Sequence, residues 1–86
     1  MGSATGPLEK NMTINAEWPG YILDILVSEG QEVEEDQQLM LLEGTDEART
    51  QFYVHAPEAG KILKILAGDG DYVQEDDELF EMAEAD

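Results

Sequence analysis

A chain of 86 residues has room for one domain, and a domain this small buries only about 60% of the surface its unfolded chain exposes. It has no cysteine, so neither a disulfide framework nor a thiolate metal cage can supplement the core, and a reducing cytoplasmic setting is expected. With 21 acidic against 4 basic residues the net charge is −17, which repels phosphate backbones and anionic membranes, and no apolar run nears the ~20 residues that span a bilayer.

Residues 1–10 (MGSATGPLEK) are rich in Gly, Ser, Thr and Pro with little to bury, and are expected to be a disordered leader or remnant outside the domain, which is placed at 11–86. Residues 12–16 supply an opening strand. A strand follows over 21–27, then a turn around Ser28, Glu29 and Gly30, and a short extended piece at Val33. The run Glu34-Glu35-Asp36-Gln37 is too short and too like-charged for more than an isolated helical turn, and a second strand follows over 38–43. A polar turn, 44–50, leads into a strand at 51–55. The series then recurs: strand 61–67, a turn around Gly68, Asp69 and Gly70, Val73, the acidic run 74–77, and strand 78–82.

The recurrence is a duplication. Residues 20–43 superimpose on 60–83 at a constant offset of 40 without a gap, with ten identities in 24 positions. They include Gly20/Gly60, Ile22/Ile62, Gly30/Gly70, Val33/Val73 and Leu39/Leu79, each at an apolar or turn position. Gly30 and Gly70 are expected at positive φ. One copy alone could bury only one face of a small sheet, so the halves must pack on each other around a pseudo-two-fold axis. The expected core is Ile22, Ile25, Val27, Val33, Leu39 and Leu41, answered by Ile62, Ile65, Val73, Leu79, Phe80 and Met82. Trp18, Tyr21, Phe52 and Tyr53 are expected to pack the ends of the barrel.

These residues resemble the biotinyl/lipoyl attachment domains, the swinging-arm carriers of biotin-dependent carboxylases and decarboxylases and of 2-oxoacid dehydrogenase complexes. The resemblance rests on the strand-Gly-x-x-Val-x-x-x-x-x-Leu pattern in both halves, on Leu41-Leu42-Glu43 entering the central turn, and on Val54-His55-Ala56-Pro57-Glu58-Ala59-Gly60 leaving it. It implies an all-β fold, a flattened β-barrel or barrel-sandwich hybrid of two four-stranded sheets, with a modified lysine at the tip of the hairpin joining the halves. It also implies biotin, ahead of lipoate, as the family's prosthetic group, and carboxylase, decarboxylase or ligase proteins as partners of a monomeric carrier.

At the attachment turn the chain departs from the family. The segment reads Glu43-Gly44-Thr45-Asp46-Glu47-Ala48-Arg49-Thr50, about three residues longer than the family turn. Counting back seven positions from Ala56, as the family spacing requires, reaches Arg49, and no lysine lies between Gly44 and Lys61. Asp46-Glu47-Ala48 resembles the lipoyl signature with Glu47 in place of its lysine. Attachment needs a primary amine that forms an amide, and a guanidinium, always protonated, is a poor nucleophile. No covalent cofactor is therefore expected on this chain. Natural divergence and deliberate rebuilding of the tip both account for the departure.

Glu43, Asp46 and Glu47, with His55 nearby in sequence, could offer oxygens to a hard cation, but calcium-loop spacing is missing and no metal is expected. Ser3 and Ser28 have no histidine near them in the pattern, so no catalytic residues are assigned. The sequence thus points to a non-enzymatic carrier-type domain of the biotin carboxyl carrier kind, presenting 44–50 to partner enzymes. The alternative is an interaction scaffold, engineered or divergent, on the same fold.

Overall fold

The computed structural model describes residues 11–85, and the leader assigned to 1–10 lies outside the described residues. Eight strands follow in order: β1 (Asn11–Asn15), β2 (Gly20–Ile25), β3 (Glu32–Val33), β4 (Gln38–Gly44), β5 (Gln51–His55), β6 (Gly60–Ile65), β7 (Tyr72–Val73) and β8 (Glu78–Glu84). They form two four-stranded antiparallel sheets, β1-β8-β6-β3 and β5-β4-β2-β7, as the all-β expectation required. The sheets lie as a flattened sandwich and do not close into a continuous barrel.

The halves do more than stack. The first half comprises β1 to β4, yet its β1 and β3 flank β8 and β6 of the second half, while β5 and β7 flank β4 and β2. Each half therefore lends its outer strands to the other's sheet. Backbone bonds in equivalent pairs lock the exchange: the Gly30 N–H donates to the Ile62 carbonyl at 2.7 Å and the Gly70 N–H to the Ile22 carbonyl at 2.8 Å. Both glycines sit at positive φ, 88° and 84°, where a Cβ would crowd the backbone.

The acidic runs are turns and not helices. The Gln37 N–H donates to the Glu34 carbonyl and the Asp77 N–H to the Gln74 carbonyl, with Asp36 and Asp76 in the left-handed region at φ 67° and 72°. Side chains brace the same turns, since Gln37 accepts from the Glu34 N–H and Asp77 from the Gln74 N–H, 2.9 and 2.8 Å away. Asp and Asn tolerate this backbone better than most residues, which explains an acid there in both halves.

The core lies between the sheets. Ile22, Leu39, Met40, Leu42, Ile62, Leu79, Phe80 and Met82 are fully buried, and Val27, Val33 and Val73 nearly so. Three expectations need correction. Leu41 is half-buried, and Met40 and Leu42 take its place inward. The β4 register slips against β5 between Gln38 and Met40, which lets Leu39 and Met40 both turn inward despite the strand's period of two. Ile25 and Ile65 are only partly buried and pack against the core's margin. Of the aromatics assigned to the barrel ends, Phe52 is partly buried, but Trp18, Tyr21 and Tyr53 are exposed, because the aliphatic residues already fill the gap between the sheets.

Candidate functional site

The segment that joins the halves is the hairpin between β4 and β5. Its frame closes where the Gly44 N–H donates to the Thr50 carbonyl at 2.7 Å. Beyond that pair, the Arg49 N–H donates to the Asp46 carbonyl at 3.0 Å, which makes 46–49 a β-turn with Glu47 and Ala48 at its apex. Arg49, the residue reached by counting back from Ala56, lies at the exit of the turn, with φ 54°. A long β-unbranched side chain in the left-handed region carries a backbone cost on the order of 1 kcal/mol.

Asp46 organises the loop. Its carboxylate accepts from the Thr50 N–H at 3.0 Å and from the Thr50 hydroxyl at 2.8 Å, so one side chain spans the turn. The Thr50 backbone N–H, then the Thr50 hydroxyl, hold the Asp46 carboxyl below its ordinary value, because both bonds favour the ionised form. Thr45, Asp46, Glu47, Ala48, Arg49 and Thr50 are all exposed, while Gly44 is half-buried at the end of β4. A Cβ on Gly44 would come within 3.1 Å of both the Asp46 carboxylate and the Thr50 carbonyl, so glycine suits the tight closure.

Two surfaces flank the hairpin. On one side Trp18, Pro19 and Phe52 line a shallow groove of about 340 Å³ that reaches Thr45 and Asp46. On the other, Tyr21 lies beside Glu43 and Arg49. Sequence reasoning missed the exposure of Trp18 and Tyr21, for which the signal was the repeat itself: their equivalents are Glu58 and Lys61, residues that do not fill cores.

The side chains of the hairpin offer carboxylates, hydroxyls and a guanidinium, but no primary amine. Lys61 and Lys64 lie on β6 in the opposite sheet. Among the described residues no three His, Cys, Asp or Glu side chains converge as a metal site. His55 sits exposed on β5, its ring 6.4 Å from that of Tyr53.

The fold and site define a class: a small all-β sandwich of intertwined halves that displays one ordered hairpin. No protein-family model and no curated protein matches the chain. Among solved structures, a single-chain, multi-domain long-chain acyl-CoA carboxylase aligns with all of this chain over 8% of its own length, at 22% identity and a TM-score of 0.81. The urea carboxylase of Kluyveromyces lactis aligns with 95% of the chain over 7% of its own, at 22% identity and 0.77. A succinylglutamate desuccinylase/aspartoacylase family protein from Shewanella amazonensis aligns with 91% of the chain over 23% of its own, at 17% identity and 0.72. The chain thus has the fold of a small part of each of these proteins.

Proposed function

We propose that this chain is a non-catalytic domain of the biotin carboxyl carrier type, that 11–86 act as one unit beyond a leader at 1–10, and that its hairpin is displayed to carboxylase-type or decarboxylase-type partners in a reducing cytoplasm without carrying a prosthetic group. The likeness to parts of two carboxylases supports the carrier fold. The single observation that carries the rest is the hairpin's chemistry, with Glu47 and Ala48 at the apex, Arg49 at the exit and no amine between them. A guanidinium that stays protonated cannot take the place of a lysine in amide formation. What remains is a shaped, acidic tip, held by Asp46, that other proteins can grip.

Co-expression with biotin and lipoate ligases followed by intact mass measurement tests this. The expected mass is that of the bare chain, and a gain of one biotinyl or lipoyl group would overturn the reading. Glu47→Lys and Arg49→Lys variants go through the same assay. Modification of either would show that a ligase still grips this hairpin, as a carrier-type domain should allow.

A second reading is an interaction scaffold on the same fold, engineered or divergent. It is favoured by the third structural neighbour, whose name is that of a desuccinylase/aspartoacylase family and not of a carboxylase, so this fold is not confined to carboxylases. Failure of both lysine variants to accept a group would favour this reading.

A further inference from the structure

The duplication supplies an internal control for the surface. Because an offset of 40 relates the two sheets strand for strand, each outward position on one has an equivalent on the other. On the sheet that bears the hairpin, the row crossing all four strands reads Tyr72, Tyr21, Glu43, Gln51, and the next reads Asp24, Leu41, Tyr53. On the opposite sheet the same rows read Glu32, Lys61, Ala83, Asn11, and Lys64, Glu81, Thr13. All three tyrosines of the chain therefore fall on one face, at positions where the same backbone elsewhere carries Glu32, Lys61 and Thr13.

The fold does not need these rings. Tyr21, Tyr72 and Tyr53 are 49%, 46% and 42% exposed. Tyr21 and Tyr72 lie with ring centroids 5.1 Å apart, tilted by 55°. Leu26 and Leu66, exposed in both halves, show no such asymmetry. Aromatic surface concentrated on one side of a very acidic small protein marks a place of contact.

Charge selects the occupant. A second copy would bring another −17 to the same contact, which opposes self-association. Lys61 and Lys64 lie on the opposite sheet, whereas the tyrosine face sets the carboxylates of Glu43 and Asp24 among its rings, with Arg49 at its hairpin end beside Tyr21 and Glu43. Rings beside carboxylates suit a planar cation that can stack and donate two-pronged hydrogen bonds to a carboxylate, and arginine does both better than lysine. We propose that the outer face of β5-β4-β2-β7 is a docking surface for an arginine-bearing basic surface of a partner protein, with guanidinium groups over Tyr21 and Tyr72 paired to Glu43 and Asp24. This face operates whether or not the hairpin carries a group.

The test is a titration of the isotope-labelled chain, followed by NMR, with two synthetic peptides of equal length and charge, one alternating Arg and Gly, the other Lys and Gly. The Arg peptide should bind more tightly, and its amide shifts should fall on β2, β4, β5 and β7. A Tyr21→Gln/Tyr53→Thr/Tyr72→Gln variant keeps the net charge and should bind the Arg peptide about tenfold more weakly. Shifts spread over both sheets, equal affinity for the two peptides, or binding untouched by the variant would each overturn the proposal. So would concentration-dependent dimers that lose the tyrosine signals, which would make a second copy the occupant. Should the variant fail to fold, the intact chain still decides: the Arg peptide must move the ring-carbon signals of Tyr21 and Tyr72 and leave those of buried Phe80 in place.

Discussion

Asp46 shows how little material fixes the hairpin. Two bonds from Thr50 to one carboxylate span the turn, and both are strongest when that carboxylate is ionised. The folded carboxyl is therefore held below its ordinary value, and the sign of the linkage follows. The order that Asp46 lends to the turn is fully present above the ordinary carboxylate range and is lost as pH falls through the lowered folded value. In a carbon-13 titration, Asp46 should protonate below the ordinary aspartate range, and the Thr50 amide should lose its protection from exchange over the same interval. An Asp46→Ala change should abolish the Thr50 response and leave the denaturant midpoint nearly unmoved, because the carboxylate is exposed and bonds only within its own turn. A large drop in that midpoint would make the turn part of the folding core.

At the scale of elements, the short strands β3 and β7 tie the halves together, since Val33 pairs with Gly60 and Val73 with Gly20 across the duplication. Both valines are nearly buried in equivalent places, so Val33→Ala and Val73→Ala should each cost about 1–2 kcal/mol and do so alike in denaturant melts. Negligible costs would mean that the inner ends of these strands do not fill the core. Much of this was legible in the sequence. Gapless recurrence at 40 residues located β2, β3 and β4 with their copies β6, β7 and β8, while β1 and β5 were placed as the strands preceding each copy, and the turn glycines Gly30 and Gly70 revealed their positive φ by position alone. The strand exchange was not legible, because hydrophobic alternation says which face a residue takes but not which neighbour it pairs with. Leu41 was misplaced because a register slip in β4 reverses the alternation, and nothing in the residues marks it. The exposed aromatics were misplaced because ring size suggested packing, although their equivalents in the other half, Glu58, Lys61 and Thr13, are polar residues. In the hairpin, spacing led to Arg49, while the hydrogen bonds put Glu47 and Ala48 at the apex, a distinction that counting residues cannot make.

For the whole molecule, charge and size pull against each other. The apolar core is small, and the chain carries 21 acidic side chains with 4 basic ones to offset them. Like charges on a domain this narrow lie within or near one Debye length at low salt, so their mutual repulsion weakens the folded state more than the extended chain, where the same charges spread apart. Raising the salt shortens that range and should stabilise the fold, unlike a protein held together by surface ion pairs, which salt weakens. Between about 10 mM and 0.5 M sodium chloride at neutral pH, the gain should be on the order of 1 kcal/mol. At this chain length that corresponds to a rise of about 4–8 °C in the melting midpoint. The same screening should weaken capture of an arginine-bearing partner, so stability and docking should move in opposite directions along one salt series. A melting midpoint that fell with salt would mean that ion pairs, and not excess negative charge, govern this domain's electrostatics.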